Sequence, residues 1–169
     1  MPEPEFDPQP LLEVLTRHDV DFVLIGGLAG TAHGSAYITQ DVDVAYERSK
    51  ANLERLASAL SELGAATLRG APADLPFQLD AEALRAGLNF TFDTRFGSLD
   101  ILGEPAGAPR YEKLLSAASS EALWGVHIHV ASLDHLIAMK EAAGRTKDKL
   151  HASEYRVISD LLRAPEEES

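Results

Sequence analysis

Asp21-Phe22-Val23-Leu24-Ile25 is a β-rich run that ends at Gly26-Gly27, and Val42-Asp43-Val44-Ala45-Tyr46 is a second such run a short way on. This predicts a strand entering a tight turn, one or two helical turns over Leu28 to His33 stopped by Gly34, then another strand. Asp41 and Asp43 are one residue apart, so on a strand they share a face, roughly 6.7 Å apart along the chain. Val42 and Val44 then point the other way, into a core. Two like charges side by side on a stiff element need an opposite charge to hold them. Oxygen ligands of this kind suit a hard divalent cation, Mg2+ or Mn2+.

The rest of the chain alternates short strands with helices. Pro10 with Leu11, Leu12, Val14 and Leu15 reads as an amphipathic helix with proline in its first turn. Between Lys50 and Leu63 the apolar positions Leu53, Leu56, Ala57, Leu60 and Leu63 recur at helical spacing, with Gly64 as the stop. Ala65 to Pro76 reads as irregular. Phe90 to Thr94 and Leu99 to Leu102 alternate as paired strands around the turn Arg95-Phe96-Gly97-Ser98. A helix from Tyr111 to Ala118 and a strand from Val126 to Val130 follow. Ser132 caps a helix over Leu133 to Ala143 closed by Gly144, and a last helix spans about Lys147 to Leu162. The order predicts an α+β (α/β) fold: one mixed β-sheet flanked by helices, with C-terminal helices.

The length of 169 residues fits one domain over 1–169, with 1–9 and 164–169 expected as flexible tails. A 45% hydrophobic composition fills a core without disulfides or structural metal. With no cysteine there is no thiolate zinc site and no cysteine nucleophile, and a cytoplasmic location is expected. Residues 1–10 lack the charge pattern and apolar run of a signal peptide, and no stretch approaches the roughly 20 apolar residues of a membrane span. The net charge of −12 lacks the basic footprint of a general nucleic-acid binder. Lys140, Arg145, Lys147 and Lys149 are a local exception, readable as a phosphate grip or as a solvated helical face.

Asp100 alternates with Leu99 and Ile101 and so also projects opposite its apolar neighbours. If its strand lies beside that of Asp41 and Asp43, three carboxylates converge. Such a set can hold two metals roughly 3.5–4 Å apart for in-line attack on a phosphate. Gly26-Gly27, between a strand and a short helix, lets backbone N–H groups approach a triphosphate. Other nucleotide motifs fit worse: there is no G-x-G-x-x-G, no P-loop Lys-Ser/Thr and no calcium-loop glutamate. The chain is also short for a glycosyltransferase using Asp-x-Asp. His127 and His129 share a strand face, read as polar surface rather than metal ligands. His33 is expected to hydrogen-bond the glycine turn, and Trp124 and Tyr111 to pack.

Val23 to Gly34 followed by Thr39-Gln-Asp-Val-Asp-Val44 resembles the nucleotidyltransferase fold superfamily. The likeness is greatest to its small bacterial and archaeal members, including AbiEii-type toxins of toxin–antitoxin and phage-defence systems. It extends through Leu99 to Leu102 and Val130 to Asp148, and covers about residues 20–163. The resemblance implies Gly26 and Gly27 at the triphosphate, Asp41 and Asp43 on metal, and Asp100 as third ligand and hydroxyl-activating base. It implies Lys140 as a nucleotide-phosphate contact, with Arg145, Lys147 and Asp148 structural or on the substrate side. The partners implied are a nucleoside triphosphate such as ATP, an acceptor (tRNA, protein or small molecule) and an antitoxin protein. Many relatives carry arginine where this chain has Tyr37. That departure supports an alternative: a nucleotidyltransferase-like module that binds a nucleotide or partner without turnover.

Overall fold

The computed structural model describes residues 5–63, 67–68 and 80–164. The chain runs through α1 (Pro8–Arg17), β1 (Phe22–Ile25), α2 (Gly26–Ala32), β2 (Asp41–Tyr46), α3 (Lys50–Glu62), β3 (Thr67–Leu68) and α4 (Ala81–Ala86). It continues with β4 (Asn89–Thr94), β5 (Gly97–Leu102), α5 (Tyr111–Ala117), β6 (Ser119–Leu123), β7 (Val126–Val130), α6 (Leu133–Ala143) and α7 (Thr146–Arg163). Among the described residues the strands form one mixed sheet in the order β3-β4-β5-β2-β1-β7-β6. β2 pairs parallel with β5 and β1 parallel with β7, and the remaining pairs are antiparallel. This is the mixed, helix-flanked sheet that the order of elements predicts.

Hydrophobic periodicity explains most of it. Leu11, Leu12 and Leu15 of α1 and Leu56 and Leu60 of α3 are fully buried with Val42, Val44, Phe92, Leu99 and Ile101 of the sheet. All four residues of β1 are buried, as expected of an interior strand. Phe92→Ala, which empties a fully buried position of β4, is expected to lower unfolding free energy by about 3–5 kcal/mol in urea titrations.

Several boundaries differ from the sequence reading. α1 starts at Pro8 because Asp7 caps it, accepting from the Gln9 N–H at 3.1 Å. The Asp7 N–H donates to Phe96 O at 2.9 Å and Phe6 packs on the core, so residues 5–9 are tied to the domain rather than a tail. Residues 1–4, Gly64 and the last five residues lie outside the described residues, as does most of Ala65 to Pro76. Thr67–Leu68 of that segment form β3 rather than irregular chain. α2 begins at Gly26 itself, so both glycines belong to its first turn. The sequence reading lacked α4, capped by Asp80, and β6, which joins β7 through Trp124-Gly125. Those two residues have φ of 49° and 76°, the left-handed pair that a two-residue hairpin turn needs. Trp124 and Tyr111 pack against the core as expected.

Candidate active site

β2 sets its two aspartates in different surroundings. Val42 and Val44 are fully buried on one face, and Asp41 and Asp43 point to the other. Asp41, at the first position, is exposed, whereas Asp43 is partly buried. Parallel pairing with β5 puts Asp100 directly across from Asp43, with Thr91 of β4 beyond it in the same row. Neighbouring strands lie about 4.8 Å apart. The two carboxyl groups are thus close enough to hydrogen-bond each other.

Burial, that hydrogen bond, and the charges of Asp100 and Asp41 push the Asp43 carboxyl up to about 8, against a smaller opposing effect of Lys140. One oxygen of each group, Asp43 Oδ1 and Asp100 Oδ1, is buried without a hydrogen-bond partner. A buried polar atom left this way costs about 1–3 kcal/mol. Paired acidic oxygens of this kind are the donor set that a hard divalent cation takes, so they fit Mg2+ or Mn2+. Asp41 is not drawn in as tightly. Among the described residues no three His, Asp or Glu side chains stand close enough to hold one ion. The inner pair is assembled, and Asp41 stands beyond it at the exposed end of the strand, its charge still felt by Asp43.

Gly26 follows β1 with a φ of +71°, and a Cβ there would collide with Asp43 Oδ2. Only glycine meets both conditions, so the start of α2 rests directly on the carboxylate. At Gly27 a Cβ would press on Thr39, 3.1 Å from its Oγ1. Seven residues make α2 too short for a strong dipole. What it provides is close backbone.

Lys140, the candidate phosphate contact, sits in α6 with its side chain 18% exposed, and its Nζ is 3.5 Å from Asp148 Oδ1. Asp148 is buried and also accepts from Arg145 Nε at 2.8 Å and from the Arg145 N–H at 3.3 Å. Arg145, outweighing burial and ahead of Lys140, holds the Asp148 carboxyl below its ordinary value. A cavity of about 250 Å³ joins these parts, lined by Gly26, Asp43, Asn89, Met139, Lys140, Arg145 and Asp148 among others. Two larger grooves, of about 570 and 530 Å³, contain none of the candidate carboxylates among their described lining residues. Of the basic cluster, Lys140 and Arg145 line the cavity, and Lys147 and Lys149 are exposed.

The segment leading into Asp41 is strapped to α7. Ser35 Oγ donates to Glu154 Oε1 at 2.5 Å and the Ala36 N–H to Glu154 Oε2 at 3.0 Å. The Tyr37 ring lies against His151, with centroids 4.2 Å apart. So Tyr37 serves as a packing contact here. His33 does not bond the glycine turn: its Nε2 lies 2.7 Å from Ala131 O, because α2 ends beside the β7–α6 junction. His127 and His129 are exposed on β7. Sequence reasoning missed Thr39 over Gly27, Thr91 beside Asp100, and the strap by Glu154. Asp148, expected as structural or on the substrate side, is an anchor for Lys140 and Arg145, and its one local signal is the Arg145–Asp148 capping pair.

No protein-family model matches the chain, and no curated protein matches it by sequence. Solved structures do. The crystal structure of the lincosamide antibiotic adenylyltransferase LnuA, bound to lincomycin, is 11% identical over 90% of this chain and 98% of that one, with a TM-score of 0.60. The Thermotoga maritima protein TM1012, provisionally assigned as a nucleotidyltransferase, is 13% identical over 87% of this chain and 88% of that one, with a TM-score of 0.54. At such identity the likeness is one of fold: the chain has the nucleotidyltransferase fold. Among the described residues no helix is long and apolar enough to cross a membrane.

Proposed function

We propose that the protein is a metal-dependent nucleotidyltransferase, moving a nucleoside monophosphate from an NTP to an acceptor hydroxyl. The observation that carries this reading is the Asp43–Asp100 pair, each with an orphaned buried oxygen, beneath Gly26 and beside Lys140. Magnesium or manganese held by Asp43 and Asp100, with Asp41 beside them, would neutralise polyphosphate charge and acidify the attacking hydroxyl. The backbone of Gly26 and Gly27 lies against the polyphosphate, and Lys140 Nζ pairs with its oxygens. Asp100 takes the proton of the acceptor hydroxyl as the new O–P bond forms and the bond to pyrophosphate breaks.

Asp148 positions Lys140 rather than touching substrate. Asp148→Asn is expected to raise KM for the NTP about tenfold, ~1.4 kcal/mol, with kcat little changed. A fall in kcat with KM unchanged would contradict that role.

A small-molecule acceptor is supported by the fold shared with LnuA, and the net charge of −12 disfavours bulk RNA. tRNA and protein hydroxyls are the other acceptors that the sequence resemblance brings. A toxin role with an antitoxin partner rests on that resemblance alone. The binding-only reading is favoured by one observation, Tyr37 packed on His151, at a position where many members of the family that the sequence resembles carry arginine. The experiment is incubation of wild type and Asp41→Ala/Asp43→Ala with each labelled NTP, magnesium, and RNA, cell extract or lincosamide. Transfer by the wild type alone is expected. No transfer with any NTP, together with magnesium-dependent thermal stabilisation by one of them, would instead establish the binding module.

A further inference from the structure

α7 buries one face and leaves an apolar stripe on the other. Asp148, His151, Ala152, Tyr155 and Ser159 point inward. Leu150, Val157 and Leu161 lie opposite, at spacings of seven and four, and are 56%, 58% and 71% exposed. Ile38, 89% exposed, belongs to the segment whose start Glu154 grips, and Glu154 itself lies between Leu150 and Val157 along the stripe. A solvated helix face normally carries polar residues. Single exposed apolar residues need no explanation, but a stripe in helical register marks an interaction surface.

We propose that this stripe is the seam of a homodimer in which α7 of two copies of this chain pack antiparallel. Charge selects both occupant and direction. Lys149 and Asp160 are eleven residues apart, about three helical turns, so they sit on one side of the helix and flank the stripe. Among the described residues no ion pair engages either of them. Leu150 and Leu161 share the same separation. Antiparallel pairing that sets Leu150 against Leu161 of the partner subunit puts Lys149 on the same side as Asp160 of the partner subunit. The two are offset by two residues, about 3 Å of helix rise, a gap that the long lysine side chain spans. The two-fold axis repeats the ion pair at the other end. A parallel pair would instead turn Lys149 towards Lys147 and Glu154 of the partner subunit, and Glu154 is already engaged by Ser35 and Ala36. With a net charge of −12, two copies repel elsewhere, which leaves association to this stripe and its flanking pairs.

Sedimentation velocity on the full chain from about 1 to about 200 µM tests this, the 18.2 kDa species giving way to one of twice that mass. Val157→Lys/Leu161→Lys is expected to remain monomeric throughout. Lys149→Glu should weaken the dimer at least about tenfold, and Lys149→Glu/Asp160→Lys should restore it. All four side chains are exposed, and circular dichroism confirms that each variant is folded. A wild type that stays monomeric overturns the proposal, as does a dimer indifferent to the lysine pair. Failure of the charge swap to restore association overturns the antiparallel pairing. None of these outcomes depends on nucleotidyl transfer.

Discussion

Asp43→Asn is expected to abolish nucleotidyl transfer and the response to divalent metal, while making the metal-free protein more stable. The two effects share one cause. In the folded chain Asp43 holds its proton up to about 8, whereas its ordinary value is 3.8. Between those values unfolding releases a proton, so the stability of the metal-free protein falls as pH rises, by about 1.4 kcal/mol per pH unit for one proton. Asparagine carries no charge at any of these pH values and removes that penalty. The gain should be small at about pH 5 and several-fold larger at about pH 8, read from urea unfolding in EDTA. Metal requires the ionised carboxylate, so the wild type should gain more from Mn2+ at higher pH and release a proton on binding it. The variant should show neither response, and its transfer rate should drop at least about a thousandfold, ~4 kcal/mol of transition-state stabilisation. A variant less stable than wild type at about pH 8, or one still stabilised by Mn2+, would refute this account of the pair.

Gly26→Ala should be the most damaging small substitution in the chain. A left-handed φ costs a non-glycine residue roughly 1–2 kcal/mol. Here the added methyl also meets Asp43 Oδ2, so either the carboxylate or the start of α2 must move. Stability should fall by about 2–4 kcal/mol, and transfer by more than about a hundredfold, because catalytic geometry tolerates little displacement. Gly34→Ala is the matched control. Gly34 also has a positive φ, +106°, but a Cβ there would meet nothing within 4 Å. It should incur the backbone strain alone and retain full activity. If both variants lose activity equally, strain in the 26–34 region rather than the contact with Asp43 is responsible.

Much of the fold was legible because it is written locally. The alternation around Val42 and Val44 places Asp41 and Asp43 on one face, and the three-four spacing of α3 predicts its buried side. β6 was not legible. Ser119-Ser-Glu-Ala-Leu has no alternation because it is an edge strand with little to bury, and its pairing comes from β7. Asp100 was legible as a carboxylate on a strand, but its place beside Asp43 depends on a parallel pairing that no local pattern specifies. For the same reason Glu154 escaped notice, and Asp148 was legible only through the family resemblance: each acts through a contact made only once α7 is in place. The expectation that three carboxylates converge also changed, since strand position leaves Asp41 in solvent and Asp43 beneath Gly26. Gly26 itself was read as a turn residue suited to phosphate. Its contact with Asp43 is a second reason for glycine that only the fold reveals.

The parallel pairing of β2 with β5 also bears on the order in which the molecule forms. β1, α2 and β2 are neighbours in sequence, so their antiparallel contacts close short loops and are expected to form early. Asp100 reaches Asp43 through the pairing of β5 with β2, across α3, β3, α4 and β4 in the chain, so the carboxylate pair is expected to form late. A cation that binds the pair therefore recognises the finished protein and not the folding nucleus. Added Mn2+ should slow unfolding while leaving the refolding rate nearly unchanged, so that it acts as a latch on the native state rather than a template for reaching it.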